Sequence, residues 1–460
     1  MSKDNENGKP SELVFNIGEV ISGFTLVSKI DEGGFGQVFK VSKDKQLFAM
    51  KLESSAMDGG SAIKLEISVL KGLPANSVFP AMISGGRRAR FHFLVLELLG
   101  DNLKTLKAKG PNPDVFSDGT WSRLGIQCLF ALKQMHDAGF VHRDVKPTNF
   151  AVGLHQNNCR RIMLFDFGLA RRFVKEEVQK ARRSPANSRG SPAKRTGAKS
   201  RMQHNSRPVD MRVPTVFSFR KPRPHTDFRG TELYASPNAH QLKELGRVDD
   251  VWSMLYMVAE FFRDLPWVTQ DAIPTDDVKN QCTMLRIFFD EKNPRRLTAS
   301  MEEKLEQIEQ MLKEKNYYQC PDYQLVYEFL RAVMLKSKVS WSSAYDWEKT
   351  EPEVSKKKDG SNAWEDPKDY FQSDKWRELR VPEMAVTPKS GRQRRADTKA
   401  PRKLSKEEDP SANVDDESLD LPTPLKSQKK DWRSVKQDGK QTRKQQEALS
   451  VYGFTSTKKE

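Results

Sequence analysis

The sequence predicts an α+β chain of two lobes, a small β-rich N-terminal lobe with one main helix followed by a large α-helical C-terminal lobe. Three observations predict it. Between Phe24 and Leu52, short β-prone runs are separated by glycines or by a polar Ser-Lys-Asp-Lys turn. After Gly100, apolar residues recur at helical spacing. Beyond Trp347 the periodicity fails and Lys, Asp, Ser, Pro and Gln dominate.

In chain order, residues 1–20 are polar and read as a disordered N-terminus. The runs Phe24–Ile30, Gln37–Val41 and Leu47–Leu52 read as an antiparallel meander. Ser61 to Leu70 reads as the main helix of the small lobe, with Ile63, Ile67 and Leu70 on one face and Gly72 as its stop; a strand follows at Phe91 to Leu96. Helices are expected at Trp121–His136, Val248–Phe262, Met301–Lys315 and Gln324–Leu335. These assignments bound a domain over residues 21–350 and a disordered, charged tail over 351–460.

Four cysteines (Cys128, Cys159, Cys282 and Cys320) carry no C-x-x-C pair. This excludes a disulfide scaffold and a zinc ribbon and fits a reducing compartment, so a cytoplasmic or nuclear location is expected. The first residues hold no apolar signal region, and no apolar run approaches the roughly 20 residues of a membrane span, so neither secretion nor membrane spanning is expected. The net charge of +16 is concentrated. Residues 171–229 hold 17 Lys/Arg against 4 Asp/Glu, whereas residues 351–460 hold 25 against 21. The stretch around Ala181-Arg-Arg-Ser-Pro-Ala-Asn-Ser-Arg-Gly-Ser-Pro has almost no large apolar residue to offset its ordering entropy, and about residues 175–215 read as a disordered basic insertion. It lacks the interleaved aromatics of a nucleic-acid reader, which argues against a specific nucleic-acid partner.

Gly33-Gly34-Phe35-Gly36-Gln37-Val38 lies in the turn between the first two β-prone runs, where glycines let backbone amides approach a phosphate. In isolation the same run is an ordinary hairpin turn. About 13 residues further on, Lys51 ends a strand in Phe48-Ala-Met-Lys and can neutralise phosphates, with Glu66 on the next helix as its partner; alone, each is a surface charge. His142-Arg143-Asp144-Val145-Lys146-Pro147-Thr148-Asn149, followed about 20 residues later by Asp166-Phe167-Gly168, is far more specific. One carboxylate must accept a hydroxyl proton, while an amide oxygen and a second carboxylate hold Mg²⁺ on a triphosphate. Asp144, Asn149 and Asp166 suit those roles.

With these motifs in this order, residues 20–350 resemble the eukaryotic protein kinases. The resemblance implies a two-lobed kinase fold, ATP with Mg²⁺ (or Mn²⁺) as cofactors, protein substrates and a monomer. It places Lys146 at the γ-phosphate, marks serine and threonine as acceptors, and makes Thr231 the substrate-side threonine that bonds Asp144 and Lys146. It implies nucleotide contacts from Ile30, Gly33, Gly34, Phe35, Gly36, Val38, Ala49, Lys51, Leu96, Glu97 and Leu99, with Leu96 as gatekeeper and Leu99 bonding adenine through its backbone. Asp250 matches an aspartate that steadies the catalytic loop. Gly230-Thr-Glu-Leu-Tyr-Ala-Ser-Pro-Asn-Ala-His replaces the usual Ala-Pro-Glu. With Leu245-Gly-Arg-Val-Asp-Asp-Val-Trp-Ser and Tyr345-Asp-Trp-Glu, it resembles the casein kinase I superfamily and, within it, the tau-tubulin kinase branch.

Departures from that pattern carry expectations of their own. Asp31 stands where the family has the first glycine of its phosphate loop, and a modest loss of ATP affinity is expected. Leu233 stands where casein kinase I members have an arginine that reads acidic or phosphorylated substrates. Gly168 to Gly230 spans about 60 residues where the family has roughly 20 to 30, which puts the basic insertion inside the activation segment. The two readings left are a Ser/Thr protein kinase acting on acidic or cytoskeletal proteins, and a catalytically weak or inactive kinase-fold scaffold that binds acidic partners through its insertion.

Overall fold

The structure, a computed structural model, describes residues 13–33, 36–55, 61–75, 78–155, 158–178, 215–268, 275–288, 297–348, 367 and 370–382. All of them lie within one compact unit, Met1–Leu419. The N-terminal lobe is built from β1 (Val20–Ile21), β2 (Phe24–Gly33), β3 (Gly36–Lys43), β4 (Gln46–Ser54), α1 (Ala62–Gly72), β5 (Met82–Arg87) and β6 (Phe91–Glu97). Its six strands form one antiparallel sheet in the order β1-β2-β3-β4-β6-β5. Period-two alternation decides its faces. Phe39, Val41, Met50, Leu52, Phe93 and Val95 pack as one core, while Leu94 and Leu96 pack with Ile63 of α1 in another. Val38 pairs with Lys51, Lys51 with Leu94 and Ala49 with Leu96, so these side chains share the face that α1 covers.

Next come β7 (Leu99–Asn102), α2 (Leu103–Lys109), α3 (Asp118–Asp137), β8 (Phe140–Val141), β9 (Phe150–Gly153), β10 (Ile162–Leu164), β11 (Arg171–Arg172), β12 (Val174–Val178) and β13 (Thr215–Phe219). The chain then forms α4 (Pro237–His240), α5 (Arg247–Glu260), α6 (Thr275–Gln281), α7 (Met284–Phe288), α8 (Ala299–Glu314) and α9 (Tyr323–Lys336). The main core gathers α3, α5 and α9, with Leu124, Leu129, Val251, Leu255, Phe329 and Leu330 buried together. α3 begins where the Ser117 hydroxyl accepts from the Thr120 amide, and α5 where Asp249 accepts from the Gly246 amide at 2.7 Å. The architecture is the expected two-lobed α+β kinase fold. Among the described residues no helix is long and apolar enough to cross a membrane.

Three expectations about disorder need correction or restriction. Residues 13–20 of the expected loose N-terminus are placed, because Phe15 sets its ring edge-on to Phe39 and Phe91 at centroid distances of 6.3 and 5.2 Å. The flanks of the basic insertion are strands, with β12 pairing β13 from Val174↔Phe219 to Val178↔Thr215; residues 179–214 lie outside the described residues. The expected tail over 351–460 is contradicted at residues 370–382, where Phe371 and Trp376 are buried against the helical lobe. Aromatic burial offsets the entropy of ordering this polar segment.

Candidate active site

The cleft between the lobes is organised by Lys51. Its ammonium lies 2.9 Å from both oxygens of Glu66 and 2.9 Å from Oδ1 of Asp166. β4 presents the lysine toward α1, and α1 buries Glu66 one turn past its Ser61 cap. Burial opposes the lysine's charge, but Glu66 and Asp166 outweigh it and raise its pKa above the usual range. Burial likewise works against the Asp166 carboxylate, and the charge and hydrogen bond of Lys51 hold it below its usual range. The Phe167 amide donates to Glu66 at 3.4 Å, so strand, helix and the Asp166-Phe167-Gly168 turn share one ion-paired node.

A second node forms around Asp144. Its Oδ1 accepts from the Thr231 hydroxyl at 2.8 Å, and its Oδ2 lies 2.7 Å from the Lys146 ammonium. The Asn149 amide nitrogen donates to the Asp144 carbonyl at 2.8 Å, which leaves Asn149 Oδ1 as the oxygen it can offer a cation. That oxygen and the Asp166 carboxylate are hard donors of the kind Mg²⁺ takes. Arg143 and Asp166 have φ of 68° and 65°, a conformation that costs a non-glycine residue about 1 kcal/mol or more. Asp250 holds the first of them in place, accepting from the His142 and Arg143 amides at 2.6 and 2.8 Å. Behind it His136 donates from Nε2 to Asp250 at 2.9 Å and accepts at Nδ1 from Tyr323 at 2.6 Å. Burial pushes the His136 pKa down against the pull of Asp250. Gly230 reaches the catalytic loop at φ 95°, where a Cβ would stand 2.6 Å from the Arg143 carbonyl oxygen.

Lys51, Glu66, Asp144, Lys146, Asn149, Asp166 and Thr231 are therefore brought together in these two nodes. Val38 and Ala49 line the same sheet face as Lys51, and Leu96 is buried against α1. Ile30 is exposed on β2; Gly33 and Gly36 pair across the turn, and Gly34 and Phe35 lie outside the described residues. Leu99 opens β7. The Glu97 side chain has its Oε2 accepting from the Ala81 amide at 3.3 Å and its Oε1 from Asn158 at 3.4 Å. The Asp31 carboxylate accepts from the Glu32 amide at 2.8 Å.

Sequence reasoning missed three supports. Glu53, two residues past Lys51, accepts from the Ala62 and Ile63 amides and anchors the start of α1. Buried Lys279 donates to the Ala235 carbonyl at 3.0 Å and to the Glu232 carbonyl, fixing the substrate-side loop. Glu244 lies 2.6 Å from Arg223, 3.4 Å from Arg171 and 3.7 Å from Arg143. Burial would raise the Glu244 carboxyl, but the Arg223 hydrogen bond and the surrounding arginines hold it low. A Lys-Leu-Glu ahead of a helix cap signalled the first; nothing in local spacing signals the other two.

Fold and site together define a protein kinase. The family model described as Protein kinase domain matches residues 24–189. Over 348 residues, 74% of this chain, it is 32% identical to a chain named as a serine/threonine-protein kinase of Caenorhabditis elegans, covering 86% of that relative. It is 32% identical over 323 residues, 67% of this chain and 94% of the relative, to a protein named as an inactive tau-tubulin kinase of the same organism. A protein named as a casein kinase I of that organism is 30% identical over 249 residues, 53% of this chain and 61% of the relative. The chain belongs to the serine/threonine protein kinase family, with casein kinase I-like and tau-tubulin kinase-like relatives.

Proposed function

We propose that the chain is a catalytically active kinase that transfers the γ-phosphoryl group of ATP to serine or threonine hydroxyls of proteins. The observation that carries this is the closed Lys51–Glu66–Asp166 node beside an Asp144 already held by Thr231 and Lys146. Lys51 holds the α- and β-phosphates, and Lys146 meets the charge of the γ-phosphate. Asp144 orients the acceptor hydroxyl and takes its proton as the hydroxyl oxygen bonds to phosphorus and the bond to the bridging β–γ oxygen breaks. ADP leaves with that oxygen. Asn149 and Asp166 would hold Mg²⁺, which supplies charge neutralisation on the phosphates. Thr231 keeps the Asp144 carboxylate turned toward the acceptor.

We take the acceptors to be acidic proteins, cytoskeletal ones included, met by a monomer in the cytoplasm. Arg171, Arg172, Arg220, Lys221, Arg223 and Arg229 flank the acceptor side, and the ten Lys/Arg of residues 179–214 against one Asp add to that field. The relative named as inactive favours a second reading, a scaffold with a kinase fold. Phosphate transfer from labelled ATP to a peptide array separates the two. Asp144→Asn is expected to lower turnover by about 10²–10⁴-fold while ATP binding persists. Equal transfer by wild type and Asp144→Asn, or none by the wild type with Mg²⁺ or Mn²⁺, refutes catalysis and leaves the scaffold.

A further inference from the structure

Residues 370–379 touch both the catalytic loop's support and the base of the basic segment. Phe371, 2% exposed, stacks on Tyr327 of α9 at 4.9 Å and stands edge-on to Phe130 of α3 at 6.3 Å. Tyr370 donates to Asp137 at 3.1 Å, and its ring lies 4.2 Å from the buried Lys133 ammonium. Lys133 also donates to Ser373 at 3.1 Å. Arg247 of α5, itself buried, finds a carboxylate on this segment, Asp374 at 3.0 Å. A buried cation is costly without a partner, so α3 and α5 carry charges that fit a covered surface. Trp376, 6% exposed, packs its ring on Phe173 and Phe217 at 6.4 and 5.4 Å and donates from Nε1 to the His136 carbonyl at 2.8 Å. Phe173 and Phe217 belong to the β12–β13 hairpin region, and the His136 ring holds Asp250, which holds the catalytic-loop amides.

We infer that residues 370–379 form an intramolecular strap, and that Trp376 is a positioning residue for phosphoryl transfer which fixes the hairpin stem of the activation segment against the His136–Asp250 support of Asp144. The catalytic half of this inference rests on the kinase reading above; the strap itself does not.

The test uses the full-length chain with Trp376→Ala and Trp376→Phe, the second keeping a ring while losing the N–H. Hydrogen exchange of residues 140–144, 171–178 and 215–219 is followed beside peptide-kinase kinetics, with rates referred to folded protein. Trp376→Ala is expected to speed exchange in all three segments and lower kcat about 10-fold with the ATP KM within about 2-fold, since the Lys51 node is untouched. Trp376→Phe is expected to move exchange in the same direction by less, and it decides the matter should the alanine variant fail to fold. Unchanged exchange, or activity lost only in proportion to folded protein, overturns the positioning role. A wild type as inactive as Asp144→Asn refutes the kinase reading instead, and exchange still decides the strap.

Discussion

Removing the Glu53 carboxylate tests whether the N-terminal lobe is held by two attachments of α1 to β4 or by one. Lys51 and Glu53 point to the same face of β4, about 6.6 Å apart along the strand, while Ala62 and Glu66 are about 6 Å apart along the helix. The strand thus grips the helix twice, at Glu66 through Lys51 and at the helix start through Glu53. Glu53 is 1% exposed; Oε1 accepts from the Ala62 amide at 2.9 Å, and Oε2 from the Ile63 amide at 3.1 Å and the Ser61 hydroxyl. Glu53→Ala leaves these donors without their acceptor at about 1–3 kcal/mol for each one that stays dry. The Ala62 amide is half-exposed to water and the Ser61 hydroxyl can rotate, so the fully buried Ile63 amide dominates and the sum is about 3 kcal/mol. For a domain of this size that corresponds to a Tm lower by ~4 °C in calorimetry. Glu53→Gln, which keeps one acceptor oxygen, is expected to lose about 1 kcal/mol. The ATP KM should rise in the alanine variant as Glu66 loses its fixed distance from Lys51. A Tm within about 1 °C of the parent would show that water replaces the carboxylate and that the second attachment carries no stability.

His92 has both ring nitrogens buried with no hydrogen-bond partner among the described residues, so His92→Phe is expected to stabilise the fold by about 1–2 kcal/mol in urea denaturation. Burial, with Lys64 adding to it, lowers the His92 pKa below its ordinary 6.5, and burial does the same to His136. The folded state then binds fewer protons than the unfolded state, so stability falls as pH drops below 6.5, and His92→Phe should flatten that slope between pH 7.5 and 5.5. Asp31→Gly should lower the ATP KM by less than about 3-fold, because that carboxylate is turned onto the Glu32 amide. Deleting about residues 182–212 should lower kcat/KM for acidic substrates at low salt, spare neutral peptides and flatten the salt dependence. Equal kinetics across a salt series would reject steering.

The ordered motifs were legible because their chemistry is local. Asp144, Lys146 and Asn149 lie within six residues of one another, and Asp166-Phe167-Gly168 follows a short strand, so spacing alone groups the reacting atoms. The cluster Trp364, Tyr370, Phe371 and Trp376 leaves docking of the tail open in the sequence, but the surface that receives it was not legible, for the opposite reason. Tyr370, Phe371 and Trp376 have neither helical nor strand period, and the rings that receive Phe371 and Trp376 lie 44, 159 and 241 residues earlier. Polar composition with no period reads as disorder until the receiving surface is known. Phe15 was missed in the same way on the N-terminal sheet. Asp31 reads in sequence as a charge near the nucleotide; in the structure it follows a register shift after Lys29, and its carboxylate accepts from the Glu32 amide.

The same long-range contacts explain how an activation segment can carry about 40 extra residues beside an ordered site. Added loop length costs only about 0.6 kcal/mol per doubling once the ends are closed. Here the ends are closed twice. β12 and β13 zip the stem from Val174↔Phe219 outward, over a small core of Val141, Phe173, Phe219 and Trp376. Closer to the chemistry, Glu244 gathers Arg171 from before the insertion, Arg223 from after it and Arg143 from the catalytic loop itself. Length added at residues 179–214 therefore enters beyond the stem, while the geometry around Asp144 is set by groups on the near side of it. Replacing Glu244 would remove the one carboxylate these three guanidiniums share among the described residues, while the β11–β8 pairing at Arg171↔Val141 and the Trp376 bond to His136 would still tie the stem to the strand that leads into the catalytic loop.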